Sequence, residues 1–303
     1  MSSAAKGSLM IPLLRAGVRY TPSCAVRSFV WNRWVMPEVA WRDHVFEVRT
    51  TAGLMAGNTR DILQQYLYYF GVWEPEATAF LNNCLKPGDT FIDVGANIGY
   101  FPLLAAKNVG PNGRVIAVEA SPVVYQHLVG NVNLNQARQI RTLNVAAAAE
   151  KATVALYCGQ ECNCGATSVV CGESDVVIAE VHAAPLTDLI SDDEWNNARL
   201  VKIDVEGAEV GVIRGLGPLI ERGRSDREYL IEIHPTQLRR LGHSPAEVLR
   251  TFHDAGYHAY TIGNDYEPAT YLQRPGLTRP KRWHGEVVDD TNLIFSREDR
   301  EEL

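Results

Sequence analysis

The sequence predicts an α/β fold built on a parallel sheet, and three observations carry that expectation. Thr90 to Phe101 read T-F-I-D-V-G-A-N-I-G-Y-F, an apolar run bounded by Gly88 and Gly95 that suits a central strand covered on both faces. Gly95 and Gly99 bracket a tight loop, which the run Tyr100 to Ala106 continues as a helix. About twenty residues further on, in the manner of nucleotide-binding α/β folds, Val115 to Val118 form a second apolar strand that ends at Glu119.

Taken in order, the chain begins with a basic segment. The first 37 residues hold Lys6, Arg15, Arg19, Arg27 and Arg33 and no acid. That composition fits a transit peptide, a basic arm or an ordered extension. The aromatic-rich stretch Val30, Trp31, Trp34 and Val35 favours the extension, its rings either roofing a substrate pocket or forming a contact in a homo-oligomer. Val45 to Arg49 and Gly53 to Met55 suggest a hairpin. Asp61 to Phe70 and Pro75 to Leu85 read as two helices, the second opened by its proline.

Beyond the first two strands, Ser121 and Pro122 open a helix to about Asn133, and Ile140 to Val145 is a third strand. Thr153 to Tyr157, Ser168 to Val170 and Val176 to Val181 look like antiparallel edge strands on the flank of the sheet. Between them lie Cys158, Cys162, Cys164 and Cys171, whose spacing only partly matches paired zinc ligands, so small half-buried residues in a β-rich loop is the plainer reading. Leu186 to Ile190 leads through an acidic turn, Ser191 to Glu194, to a fourth strand at Leu200 to Val205. Tyr229 to His234 is the fifth, Tyr257 to Ile262 the sixth and Asn292 to Ser296 an antiparallel seventh. Helices are expected from Gly207 to Leu219 and from Pro245 to Ala255, the latter capped by Ser244 and closed by Gly256. The irregular stretch from Gly263 to Asp290 is a candidate substrate lid.

The loop after the first strand carries the functional signal. It reads D-x-G-x-N-x-G, with Asn97 where the dinucleotide fingerprint has its second glycine, and this argues against a pyrophosphate. The same strand, loop and helix can hold S-adenosylmethionine (SAM), whose sulfonium and amino acid end call for carbonyls and a carboxylate. Asp93 supplies the carboxylate, and Glu119 is placed to accept the ribose hydroxyls. A plain crossover with an ordinary turn and a solvated Glu119 is the bland alternative.

Four segments in series, F-I-D-V-G-A-N-I-G-Y-F, V-I-A-V-E-A-S-P, V-K-I-D-V-E-G-A-E-V-G-V-I-R-G and L-I-E-I-H-P, resemble the FkbM family of SAM-dependent methyltransferases over about Phe46 to Phe295. The resemblance implies a class I methyltransferase, a Rossmann-like seven-stranded sheet of order 3-2-1-4-5-7-6 with strand 7 antiparallel. It divides the chain into an N-terminal extension and helical cap, 1–85, and a SAM-binding catalytic domain, 86–303. It places Glu74 near the SAM amino group, although alone Glu74 reads as a solvated or capping acid. It makes Asn144 and Val145 neighbours of the adenine, and it assigns cofactor contacts to Asp93, Gly95, Asn97, Gly99, Glu119, Ala120, Ser121 and Asp204. Family members commonly methylate polyketide and glycoside hydroxyls, so natural product biosynthesis is the implied setting.

Strand alternation puts Lys202, Asp204 and Glu206 on one face, and Glu232 and His234 end the neighbouring strand, so these groups converge beyond the strand ends. A hydroxyl acceptor needs its proton removed, and His234 is the natural base, with Glu206 or Glu209 as alternatives if burial raises their pKa. Equally, Asp204 with Glu232 can hold a divalent metal that acidifies the hydroxyl. An ion pair of Lys202 with Glu232 and a structural His234 are the plain readings of the same residues.

The expected activity is O-methyl transfer from SAM to a hydroxyl of a small molecule, a natural product or sugar. Two other classes stay in view: a nicotinamide-dependent oxidoreductase, disfavoured by Asn97, and a non-catalytic SAM-binding interaction protein. The net charge of −7 argues against a phosphate-tracking nucleic-acid partner. No apolar stretch approaches the roughly 18 residues of a spanning helix, so the expected location is cytoplasmic.

Overall fold

The computed structural model describes residues 3–39, 42–158, 168–171, 176–263, 266–273 and 277–303. Its N-terminal part is helical: α1 (Ser3–Tyr20), α2 (Cys24–Val30) and a π-helical stretch at Trp31–Val39. Three arginines here bond to later elements. Arg15 donates to the Tyr68 carbonyl at 2.7 Å, Arg19 to Arg49 at 2.6 Å and Arg27 to Leu272 at 2.8 Å, which stitches the extension onto later elements. The hairpin β1 (Val45–Arg49) and β2 (Leu54–Asn58) follows, then α3 (Ile62–Tyr69), capped by Asp61, and α4 (Pro75–Cys84). Trp31, Val35, Phe46, Tyr68 and Tyr69 form a small core of their own.

The main unit then alternates. β3 (Thr90–Val94), α5 (Tyr100–Val109), β4 (Arg114–Glu119), α6 (Pro122–Leu134) and β5 (Ile140–Asn144) make the first half. Short β6 (Ala146–Ala147), β7 (Ala152–Cys158) and β8 (Val176–Ala184) pair in a separate three-stranded sheet. After them come α7 (Leu186–Leu189), α8 (Asp192–Asn197), β9 (Ala198–Ile203), α9 (Glu209–Leu216), a 3-10 turn at Gly217–Glu221 and β10 (Glu228–Ile233). The chain closes with α10 (Pro235–Arg240), α11 (Pro245–Asp254), β11 (His258–Thr261), α12 (Pro268–Gln273), β12 (Lys281–Arg282) and β13 (Thr291–Ser296).

The central sheet runs β12-β11-β13-β10-β9-β3-β4-β5, with β13 antiparallel to both β10 and β11. Among the described residues it has eight strands where seven were expected, because Lys281 and Arg282 add a short edge to β11. β3 is fully buried between β4 and β9, so the glycine loop leaves from the middle of the sheet. Two asparagines four residues apart on α6 dock the hairpin: Asn131 accepts from the Ala56 amide at 2.8 Å and Asn135 from Leu54 at 2.9 Å.

Several local expectations are corrected. Ser191 to Glu194 is no turn but the start of α8, with Ser191 and Glu194 forming a reciprocal capping box. Ser168 joins β7 by a single bridge to Tyr157 and does not extend into a strand to Val170. The Gly263 to Asp290 stretch contains α12 and β12, so it is only partly irregular. Cys162, Cys164 and Gly165 lie outside the described residues; Cys158 is buried and Cys171 exposed. Among the described residues no helix is long and apolar enough to cross a membrane.

Candidate functional site

The site is built where β3, β4, β9 and β10 end side by side. After Val94 the chain turns on Gly95, whose φ is +87°, and both the Gly95 and Ala96 amides donate to the Val118 carbonyl at 2.9 Å. A β-carbon on Gly95 would lie 1.7 Å from the Asp204 carbonyl oxygen, so the missing side chain lets β3 and the β9 exit approach each other. Gly99 likewise faces Leu128 of α6, at 2.7 Å from its would-be β-carbon. Asn97 stands in the left-handed region at φ 49° and turns its amide onto Glu119.

Glu119 is held by two backbone donors, Asn97 N to Oε2 at 2.9 Å and Ser121 N to Oε1 at 2.8 Å. Burial nevertheless pushes its carboxyl up to about 7, because desolvation outweighs those donors. Asn144 points its amide at the Glu119 and Ala120 carbonyls, at 2.9 and 3.1 Å, and so braces the β4 exit. Glu119, Ala120, Val145, Leu156, Val169 and Asp204 line one cavity beside the loop. Apart from Asn97 and its acids, the side chains that line it are apolar.

A second cavity opens on the other side of Gly95 and Asn97. Two positions before Gly95, Asp93 is 1% exposed, and both its carboxylate oxygens lack a hydrogen-bond partner among the described residues. Burial pushes Asp93 up to about 7, even with the Lys202 ammonium nearby. Two buried acceptor atoms with nothing to accept from are costly, and a ligand ammonium would satisfy them. This orphaned acid suits a cationic ligand such as SAM, and Asp93 and Glu119 are the residues that would hold it.

Lys202 finds its partner two residues on, at the exit of β9. Its ammonium sits 2.7 Å from Asp204 Oδ2 and 4.9 Å from the Phe101 ring centre, so the expected pair with Glu232 is replaced by one with Asp204. Burial opposes ionisation of Asp204, but the Lys202 ammonium holds its carboxyl below the usual range. His234 is ringed by acids: Nδ1 lies 2.7 Å from Glu209 Oε1, and Nε2 lies 3.5 Å from Glu206 and 3.8 Å from Glu232. Burial would lower its pKa, yet the Glu209 bond and the neighbouring carboxylates raise it to about 10. Glu206, at φ 51°, is pushed up to about 7 by burial, and Glu232 well above the usual carboxylate range for the same reason. Asp204, Glu232 and His234 each offer a ligand atom within 4.8 Å of the others, a spacing that admits a divalent cation.

The sequence-predicted acids and His234 are thus brought together. Two aromatic side chains were missed. Trp73 and Tyr266 line the second cavity and stack with centroids 5.1 Å apart. Trp73 precedes Glu74 directly, which was the available signal; Tyr266 comes from 193 positions later, and no local pattern links the two. Trp283 and His284, by contrast, line a separate hollow near β11.

The chain is similar to several known proteins. A 70-residue stretch is 36% identical to an arsenite methyltransferase of Halobacterium salinarum, covering 23% of this chain and only 17% of that relative's length. Among solved structures, a methyltransferase FkbM from Methylobacillus flagellatus is similar at 17% identity and a TM-score of 0.40, over 78% of this chain and 55% of that one. A SAM-dependent O-methyltransferase from Thermotoga maritima is similar at 13% identity and a TM-score of 0.41, over 84% and 78%. The family model for the methyltransferase FkbM domain matches residues 93–259, more than half of the chain and running from the orphaned aspartate to β11, so this chain belongs to the FkbM family of SAM-dependent methyltransferases.

Proposed function

We propose that this methyltransferase acts on a hydroxyl oxygen of a small molecule, with Glu206 as the general base. The observation that carries the reading is the contrast between two neighbours at the cavity mouth: His234 is held cationic by Glu209, Glu206 and Glu232, whereas the Glu206 carboxyl lies near neutrality. A proton acceptor works best when its pKa is close to the working pH, and a histidine already protonated has no lone pair to offer. The base role first expected of His234 therefore passes to Glu206, one of its alternatives. Glu209 is fully buried and already bonded to His234, which leaves it a positioning role.

When bound, SAM supplies an electrophilic methyl group. The chain's part is to align an acceptor oxygen with it and to take the hydroxyl proton onto Glu206, which returns it to solvent through a side chain that is 35% exposed. Asp204, fixed by Lys202, keeps the floor of the site negative where the donor's positive charge lies. In this reading, residues 1–85 act as the cap, because Ile62, Leu63, Trp73 and Glu74 complete the cavity wall that β9 and β10 begin.

The test is calorimetric titration with SAM, S-adenosylhomocysteine and NAD, with and without EDTA, followed by transfer from methyl-labelled SAM to hydroxylated small molecules. Binding of the adenosyl ligands and an O-methyl product that does not depend on added metal support the reading. An N- or C-methyl product, or turnover abolished by EDTA, overturns it.

A further inference from the structure

We propose that the acceptor carries an ammonium group, seated in a notch formed by Glu74, Glu232, Trp73 and Tyr266. This rests on the methyl-transfer reading above and names the acceptor's charge class. The notch joins two segments far apart in the chain. The Trp73 and Tyr266 rings stack at an interplanar angle of 21°, and the Tyr266 hydroxyl lies 3.1 Å from Glu74 Oε1 and 3.2 Å from Glu232 Oε1. A phenol has one proton, so it can donate fully to only one of these carboxylates at a time.

Glu74 adds an independent observation. The residue is 5% exposed, it lines the same cavity as Glu232, and its Oε2 has no hydrogen-bond partner among the described residues. The cavity has no spare cation to answer it. Of its lining residues only Lys202 and His234 are basic, and Lys202 is bonded to Asp204 while His234 is bonded to Glu209. Glu74, Glu206, Glu232 and Asp290 all face that space, so an entering cation would favour their ionised forms, whereas a neutral acceptor would leave Glu74 Oε2 unsatisfied. An ammonium has three donors and no acceptor, which matches two carboxylates, and the stacked rings offer their electron-rich faces to the same charge.

An ammonium can come from the acceptor or from the amino group of SAM. In this proposal the latter goes to Asp93, both of whose oxygens are orphaned among the described residues at the end of β3, and the Glu74 and Glu232 pair is left for the acceptor.

The experiment uses the full chain and sets of hydroxylated compounds in amine, neutral and carboxylate forms, such as D-glucosamine, N-acetyl-D-glucosamine and D-glucuronate, with matched cyclitols and amino alcohols. Label transfer from SAM is read alongside calorimetric titration with S-adenosylhomocysteine and its deaminated analogue. The expected result is at least a tenfold higher kcat/KM for amine members. Glu232→Gln should erase that preference while changing S-adenosylhomocysteine affinity less than twofold. Should that variant fail to fold, Tyr266→Phe, which keeps the ring and removes the hydroxyl, should cut the preference at least threefold. Neutral or carboxylate members accepted as well as amines, or no amine accepted, overturns the proposal. So does a preference for neutral members that appears only with added Mg2+, which would give the same carboxylates to a metal. If Glu232→Gln weakens S-adenosylhomocysteine tenfold but not its deaminated analogue, the notch holds the donor's amino group and the proposal falls. In each of these cases adenosyl binding keeps the methyltransferase reading standing, whereas absence of that binding removes the reading itself.

Discussion

His234 Nδ1 donates to Glu209 Oε1 across 2.7 Å, and the carboxylate that receives it is fully buried. The same oxygen accepts the Gly207 amide at 3.0 Å, so one acid fixes both the imidazole and the turn that carries Glu206.

Removing that acid should be costly. Glu209→Ala leaves a buried imidazolium without its main partner, and breaking such a pair typically costs about 3–5 kcal/mol. The pH dependence follows from the direction of the His234 shift. Its folded pKa is raised from 6.5 to about 10, so the stability it contributes is fully present below pH 6.5 and is lost as pH rises through 10. Urea unfolding of wild type and His234→Asn between pH 6 and 10 should show the difference in stability shrinking as pH rises; a constant difference would mean that the imidazole is neutral in the fold.

Glu206 sets the second prediction. Glu206→Gln keeps the size of the side chain and removes its proton affinity, and loss of a general base typically lowers turnover by about 10²–10⁴-fold. S-adenosylhomocysteine affinity should stay within about threefold of wild type, since the change is under a tenfold step. In wild type, kcat/KM should rise with pH through about 7, where Glu206 ionises in the free enzyme, and the variant should lack that limb. An intact limb in the variant would move the base elsewhere.

The elements legible in advance were those with a strong local pattern. The run at 90–94 is a central strand because it is apolar throughout, and Asn97 at the second-glycine position separated SAM from a dinucleotide before any geometry was known. Ser191 to Glu194 was misread as a turn because four polar residues look like a loop unless the reciprocal Ser191 and Glu194 bonds are seen. Alternation along β9 placed Lys202 and Asp204 on one face, yet gave no hint that they pair with each other. What stayed hidden was long-range: the Trp73 and Tyr266 stack, and the three acids that surround His234. Charge state depends on neighbours drawn from separate segments, and periodicity does not carry that information.

Cofactor affinity should depend on pH in a defined sense. Asp93 and Glu119 are both pushed up to about 7 by burial, so each is largely protonated in the free protein at pH 6. The stability these carboxyls contribute is present below their unfolded values and lost as pH rises through 7, whereas their ionised forms are the ones that attract a cationic ligand. SAM affinity should therefore rise between pH 6 and 8, and Asp93→Asn should flatten that dependence. At pH 8 the variant should bind about 10- to 100-fold more weakly, the loss expected for a charge-assisted hydrogen bond. Calorimetry at several pH values reads both effects; an affinity independent of pH in wild type would remove Asp93 from the SAM contacts.

Gly95 separates a packing role from a ligand role. Substituting alanine places a methyl 1.7 Å from the Asp204 carbonyl at a residue whose φ is +87°, and the obstructing atom is backbone that has little freedom to yield. Overpacking of this kind typically costs about 1–3 kcal/mol, and the left-handed backbone adds about 1 kcal/mol for any residue with a β-carbon. The strain is transmitted first to Asp204, which must move with its carbonyl and drag the Lys202 ion pair with it. Gly95→Ala should consequently lower the unfolding midpoint even without ligand and weaken SAM binding as a secondary effect. Gly88, at φ +92° with open space around it, is the control: alanine there carries the backbone penalty without the clash and should leave SAM affinity unchanged. If Gly95→Ala unfolds like wild type and loses only SAM, the loop is a ligand cradle after all. If it is destabilised more than Gly88→Ala in the free protein, the glycine is there to join β3 to the exit of β9.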